Sequence, residues 1–138
     1  MSEKFQTILA FDFGKRRIGV AVGQTLSRTA EPLTTVTQKP ANIDWQAIDK
    51  IVREWRPDLC VVGFPATADG GETPIHVQIK RFAATLKERF DVPVEFCDER
   101  LSSYEAEHHL QESRHDIDAL AAQIILETWL NDKHLAKN

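Results

Sequence analysis

Asp12 interrupts an otherwise apolar run, Ile8-Leu9-Ala10-Phe11-Asp12-Phe13, and a carboxylate buried without a partner costs several kcal/mol. Asp98-Glu99-Arg100 directly follows the apolar run Val92 to Cys97. Strand alternation sends Asp98 and Glu99 to opposite faces, so only one of them can join a shared site, and Arg100 can pair with either. Asp118 lies in a helical segment, Ile117 to Leu130, whose wet face is marked by Gln123, Glu127 and Asn131. At about 100° per residue it falls opposite Glu127, on the side of Ala121, Ala122 and Ile125. Singly, each acid has an ordinary structural explanation: turn amides for Asp12, a surface salt bridge for Asp98 or Glu99, the helix dipole for Asp118. Brought together they would repel and raise one another's pKa. A hard divalent cation removes that conflict, and all-oxygen ligands suit Mg²⁺ or Mn²⁺. Such ions can clamp the attacking and leaving oxygens of a phosphodiester displacement. No Gly-x-Ser-x-Gly elbow or Gly-x-x-x-x-Gly-Lys-Ser/Thr phosphate loop offers competing chemistry.

The elements that must position these acids begin with strands. Phe5 to Phe13 and Ile18 to Gln24 suit an antiparallel hairpin around Gly14-Lys15-Arg16-Arg17, and Thr29 to Thr37 supplies a third strand. Trp45, Ile48, Ile51, Val52 and Trp55 then recur at helical spacing, with Asp44 as N-cap and Pro57 beyond the end. Leu59 to Phe64 reads as a strand covered on both faces. Thr73 caps a helix with Pro74 at its first position. Val92 to Cys97 returns to strand, Ser102 to Glu105 has capping-box spacing, and a last helix starts near Ile117. A meander followed by crossover units predicts an α/β fold with a mixed five-stranded sheet and helices on both faces.

The chain has 138 residues, 42% hydrophobic and 28% charged, with a formal net charge of -4. That suits one domain, 1-138, with a core of its own. No apolar run reaches the roughly 20 residues of a membrane span, and Met1 to Thr7 lacks a leader pattern, so a cytoplasmic protein is expected. Cys60 and Cys97 lie in strand-like runs and are expected to be buried, reduced thiols. The charge argues against a phosphate-bearing partner, but the acidic excess is confined to residues 71 to 138. Two bound divalent ions would formally cancel the net charge of -4.

Four blocks, in order, resemble the YqgF/RuvX-type proteins, a Holliday-junction resolvase-like family of pre-16S rRNA nucleases with a ribonuclease H-like fold. They are Phe11-Asp12-Phe13-Gly14 with Arg17-Ile18-Gly19-Val20-Ala21; Val62-Gly63-Phe64-Pro65 with Asp69-Gly70; Asp98-Glu99-Arg100-Leu101-Ser102-Ser103; and Asp118-x-x-Ala121-Ala122-x-Ile124-Ile125-Leu126. The likeness runs from Leu9 to about Leu130. It implies a catalytic, metal-binding site of Asp12, Glu99 and Asp118, with Asp98 as the alternative to Glu99. It further implies hydrolysis of nucleic-acid phosphodiester bonds, in maturing the 5′ end of 16S rRNA within a pre-ribosomal particle. The alternatives are a resolvase-like nuclease on branched DNA and a non-catalytic RNA-binding module, with a monomer or homodimer as the working unit. The segment Ala106 to Ile117 departs from the family pattern in being short, acidic and His-rich. Ala66-Thr67 stand where an Asn is common.

Lys15, Arg16 and Arg17, just after Asp12, are placed as contacts to substrate phosphates, and Arg100 is grouped with them. Lys80, Arg81, Lys87 and Arg89 form the basic side of a helix, where a solvated face explains them equally well. His108, His109 and His115 read as surface residues, because adjacent helical positions diverge by about 100°.

Overall fold

A computed structural model describes residues 6–39, 42–65, 71, 73–98 and 117–136. Strand β1 (Thr7–Phe13) returns through a tight turn as β2 (Arg17–Gln24), antiparallel to it, with Asp12 opposite Gly19. After β3 (Thr29–Lys39) and β4 (Asn42–Ile43) come α1 (Trp45–Trp55), β5 (Leu59–Phe64), α2 (Pro74–Phe90), β6 (Val94–Asp98) and α3 (Ile117–Ala136). The sheet order is β4-β3-β2-β1-β5-β6. β5 and β6 run parallel to β1, and β2, β3 and β4 are antiparallel to their neighbours.

The sheet therefore has six strands where five are expected. The addition is β4, whose two residues pair with Gln38 and Lys39 at the end of β3. A two-residue bridge is too short for alternation to register. The helix predicted from Ser102 lies outside the described residues, as does the Ala106 to Asp116 stretch.

Both faces of the sheet are covered. Leu9, Phe11 and Phe13 of β1, Ile18, Val20 and Val22 of β2, and Cys60 and Val62 of β5 pack against α1 and α2. Phe82 of α2 is the hub of this layer, with ring centroids 5.5 Å from Phe11, 5.3 Å from Phe13 and 5.6 Å from Trp45. A side chain as fully buried as Phe82 contributes roughly 1.5–3 kcal/mol. On the opposite face Ile8, Ala10, Ala21, Val61 and Cys97 meet Ala122, Ile125, Leu126 and Trp129 of α3. Trp129 Nε1 donates to Glu95 Oε1 at 2.9 Å, tying α3 to β6 at the sheet edge.

Strand β2 is unequal on its two faces: Ile18, Val20 and Val22 face α1 and α2, whereas Gly19, Ala21 and Gly23 face α3. A Cβ on Gly19 would lie 1.8 Å from the backbone oxygen of Asp118, and one on Gly23 2.7 Å from Leu126 Cδ2. Helix α3 thus rests almost directly on the β2 backbone. Glycine inside a strand often marks such an approach.

The helix starts follow their sequence signals. Asp44 accepts the Ala47 N–H at 3.2 Å. Pro74 occupies the first turn of α2, and the Thr73 N–H donates to His76 Nδ1 at 2.9 Å. Nδ1 is then the acceptor and Nε2 carries the proton, which it donates to the Pro65 carbonyl. Buried His76 therefore clasps the end of β5 to the start of α2.

Cys60 and Cys97 are both buried and outside any disulfide. Burial pushes the Cys60 thiol from the ordinary 9.0 up to about 12. Its contribution to stability is complete below the unfolded value near 9 and declines as pH rises towards 12. The urea midpoint is expected to fall between pH 8 and pH 10.5, and to fall less in Cys60→Ala; an equal fall in both proteins would refute this origin. Among the described residues no helix is long and apolar enough to cross a membrane.

Candidate active site

Because β1, β5 and β6 are parallel, their carboxyl ends, at Asp12, Phe64 and Asp98, lie at one end of the sheet. Open α/β sheets commonly bind ligands at that end. Asp12 is half-buried, and alternation with Phe11 and Phe13 turns it to the α3 face, in line with Ile8 and Ala10. Its neighbour across the ladder is Gly19, and over Gly19 sits the Asp118 backbone in the first turn of α3. Two acids 106 positions apart in sequence thus flank one glycine on one face of the sheet.

Asp98 is placed differently. It pairs with Phe64, and alternation with Cys97, which faces α3, turns it towards the α2 side. Glu99 and Arg100 lie outside the described residues. Among the described residues no group of three His, Cys, Asp or Glu is gathered as a metal site; Asp12 and Asp118 are the two acids placed beside Gly19 on this face. This donor set suits a hard cation, and Asp118 already attracts positive charge: Arg17 Nε stands 2.9 Å from its Oδ2.

Arg17 opens β2, while Lys15 and Arg16 are exposed in the turn before it. The turn is closed by the Gly14 N–H donating to the Arg17 carbonyl at 2.9 Å. Gln38 of β3 holds it from behind: its backbone N–H donates to the Arg16 carbonyl at 2.8 Å, and its Nε2 to the Gly14 carbonyl. Gln38 is buried and fixes the loop that carries all three cations. Neither Gln38 nor the cradle role of Gly19 emerges from the sequence reading. A polar residue in a Thr- and Val-rich strand, and a glycine inside an apolar one, were the available signals.

On α2, Lys80, Arg81 and Lys87 are exposed. Arg89 is committed to structure: Nε and Nη2 each lie 3.1 Å from the Asp49 carboxylate, and the guanidinium lies 5.4 Å from the Trp45 ring centroid. The hydrogen bond from Arg89 holds the Asp49 carboxyl below its usual range. His108, His109 and His115 are outside the described residues.

A mixed six-stranded sheet in this order, with helices on both faces, is an α/β fold similar to that of RuvC-like, ribonuclease H-like resolvases. Solved structures share it. Thermus thermophilus RuvC in complex with Holliday junction substrate superposes with a TM-score of 0.56 at 17% identity, over 94% of this chain and 96% of that one. The fowlpox virus Holliday junction resolvase gives 0.57 at 11%, over 91% and 99%. The RuvX family model, described as Holliday junction resolvase, matches residues 6–132. Proteins named as pre-16S rRNA nucleases are similar along nearly their whole length: one from Pectobacterium carotovorum is 44% identical over 95% of this chain and 99% of its own, and one from Dechloromonas aromatica 44% over 93% and 92%. The chain belongs to the RuvX family, and it is an enzyme of the phosphodiester-cleaving hydrolase class.

Proposed function

We propose that this chain is a Mg²⁺- or Mn²⁺-dependent endonuclease that processes the 5′ end of pre-16S rRNA as a single cytoplasmic domain. The observation that supports this reading is the placement of Asp12 opposite Gly19 and of the Asp118 backbone over the same glycine, at the carboxyl end of the parallel strands. The names of the full-length relatives supply the substrate. Glu99 completes the donor set, because Asp98 is turned to the α2 side. When bound, the divalent ions supply water activation and charge neutralisation at the leaving oxygen. The chain's own part is positional: β1 fixes Asp12, the seating of α3 on Gly19 fixes Asp118, and the Gln38-held turn aims Lys15, Arg16 and Arg17 at flanking phosphates. Arg100 extends this basic contact. Steep weakening of binding with salt is the signature of such contacts.

The family description and the solved resolvases favour a second reading, cleavage of branched DNA. Symmetric resolution of a four-way junction needs paired cuts and hence a homodimer. Incubation with precursor rRNA and with a four-way junction, each in Mg²⁺ and in Mn²⁺, separates the two. Discrete cleavage of the rRNA precursor with an intact junction is expected. Paired nicks in the junction alone would replace the RNA reading, and binding without cleavage of either would replace both by an inert binding module.

A further inference from the structure

We propose that Arg17 is an exchangeable counter-ion of Asp118: it competes with a divalent cation for that carboxylate and passes to a substrate phosphate when the cation binds. The proposal rests on the nuclease reading of the same site and concerns how its charges are managed.

The geometry of Arg17 suits exchange. Its backbone is anchored, with the carbonyl accepting the Gly14 N–H at 2.9 Å and the residue paired with Thr37 of β3. Its side chain is 65% exposed and reaches Asp118 through Nε alone, at 2.9 Å. The paired, fork-like contact that makes arginine–carboxylate bridges strong is not the one made here. An exposed single-point pair of this kind is weak, so a divalent ion arriving at Oδ2 can displace it. The displaced guanidinium stays tethered beside Lys15 and Arg16, and its fork matches the oxygens of a phosphodiester.

Two opposed effects follow. Without nucleic acid, Arg17 lowers the affinity of the site for metal, by up to about fivefold from the strength of exposed ion pairs. With a phosphate to receive it, the penalty disappears, so metal and nucleic acid strengthen each other's binding to the same degree. Arg17 would thereby bias the site towards loading its ions on a bound substrate.

The test is a Mn²⁺ titration of the whole protein, read by electron paramagnetic resonance of unbound Mn²⁺, for wild type, Arg17→Gln, Arg17→Lys and Asp118→Asn. Arg17→Gln is expected to bind Mn²⁺ about two- to fivefold more tightly than wild type, and to lose the tightening of Mn²⁺ binding that an added RNA duplex gives the wild type. Arg17→Lys should fall between them, and Asp118→Asn should lose Mn²⁺. Equal or weaker Mn²⁺ binding by Arg17→Gln, with wild-type binding intact and Asp118-dependent, overturns the exchange alone. Absence of Mn²⁺ binding from every variant, or binding indifferent to Asp118, overturns the metal reading and the exchange with it. A matched urea midpoint for Arg17→Gln shows that the comparison is between folded proteins.

Discussion

Asp12→Asn is expected to give a folded protein that no longer cleaves nucleic acid. Asn keeps the shape of the side chain and an oxygen acceptor but removes the charge that a divalent ion needs. The loss expected from deleting one element of an electrostatic clamp is about 10²–10³-fold. Stability should change little, because Asp12 is half-buried at a strand end and Asn fills the same volume and can still accept and donate hydrogen bonds there. The measurement is initial cleavage rate in Mn²⁺ beside the urea midpoint. Asp98→Asn is the internal comparison: turned to the α2 side, it should keep activity within about twofold if its contacts are those of an ordinary surface acid. Full activity in Asp12→Asn would end the mechanism, and loss of activity in Asp98→Asn would exchange Asp98 for Glu99 in the donor set.

Gly19→Ala adds a single methyl group and is expected to cost both stability and activity. The added carbon would lie 1.8 Å from the Asp118 oxygen, 2.2 Å from its carbonyl carbon and 2.9 Å from the Ala119 nitrogen. All three are backbone atoms, so no flexible side chain can step aside. The start of α3 has to lift by more than 1 Å, and overpacking of this kind typically costs about 1–3 kcal/mol. Misplacing a reacting group by that distance costs on the order of 10²-fold in rate. Urea unfolding and cleavage assays should therefore report a lower midpoint together with near-complete inactivity, although no charged or polar group has been touched. Wild-type activity in Gly19→Ala would show that the position of Asp118 is irrelevant to cleavage.

What was legible in the sequence was local. The β1–β2 hairpin, the caps at Asp44 and Thr73, the Pro74 start and the inward face of the last helix depend on residues a few positions apart, where periodicity and capping chemistry speak directly. The acids Asp12 and Asp118 were recognisable because each breaks an apolar pattern. Tertiary pairings were silent. Arg17 and Asp118 are 101 positions apart, and nothing in either segment announces that one will meet the other; Arg17 read as a substrate contact only. Gln38 reaches back 24 positions to hold the basic turn, and His76 spans 11 to reach Pro65. β4 escaped because two residues carry no period.

The unequal faces of β2 bear on folding errors as well as on the native site. A slip of one residue against β1 would exchange the faces, turning Ile18, Val20 and Val22 to α3 and leaving its first turn no room to descend. Such a misthreaded chain would lose its helix seat and the placement of Asp118 in the same stroke. A protein built this way loses the seat of α3 over Gly19 whenever β2 is wrongly paired, so correct register and an assembled sheet end arise together.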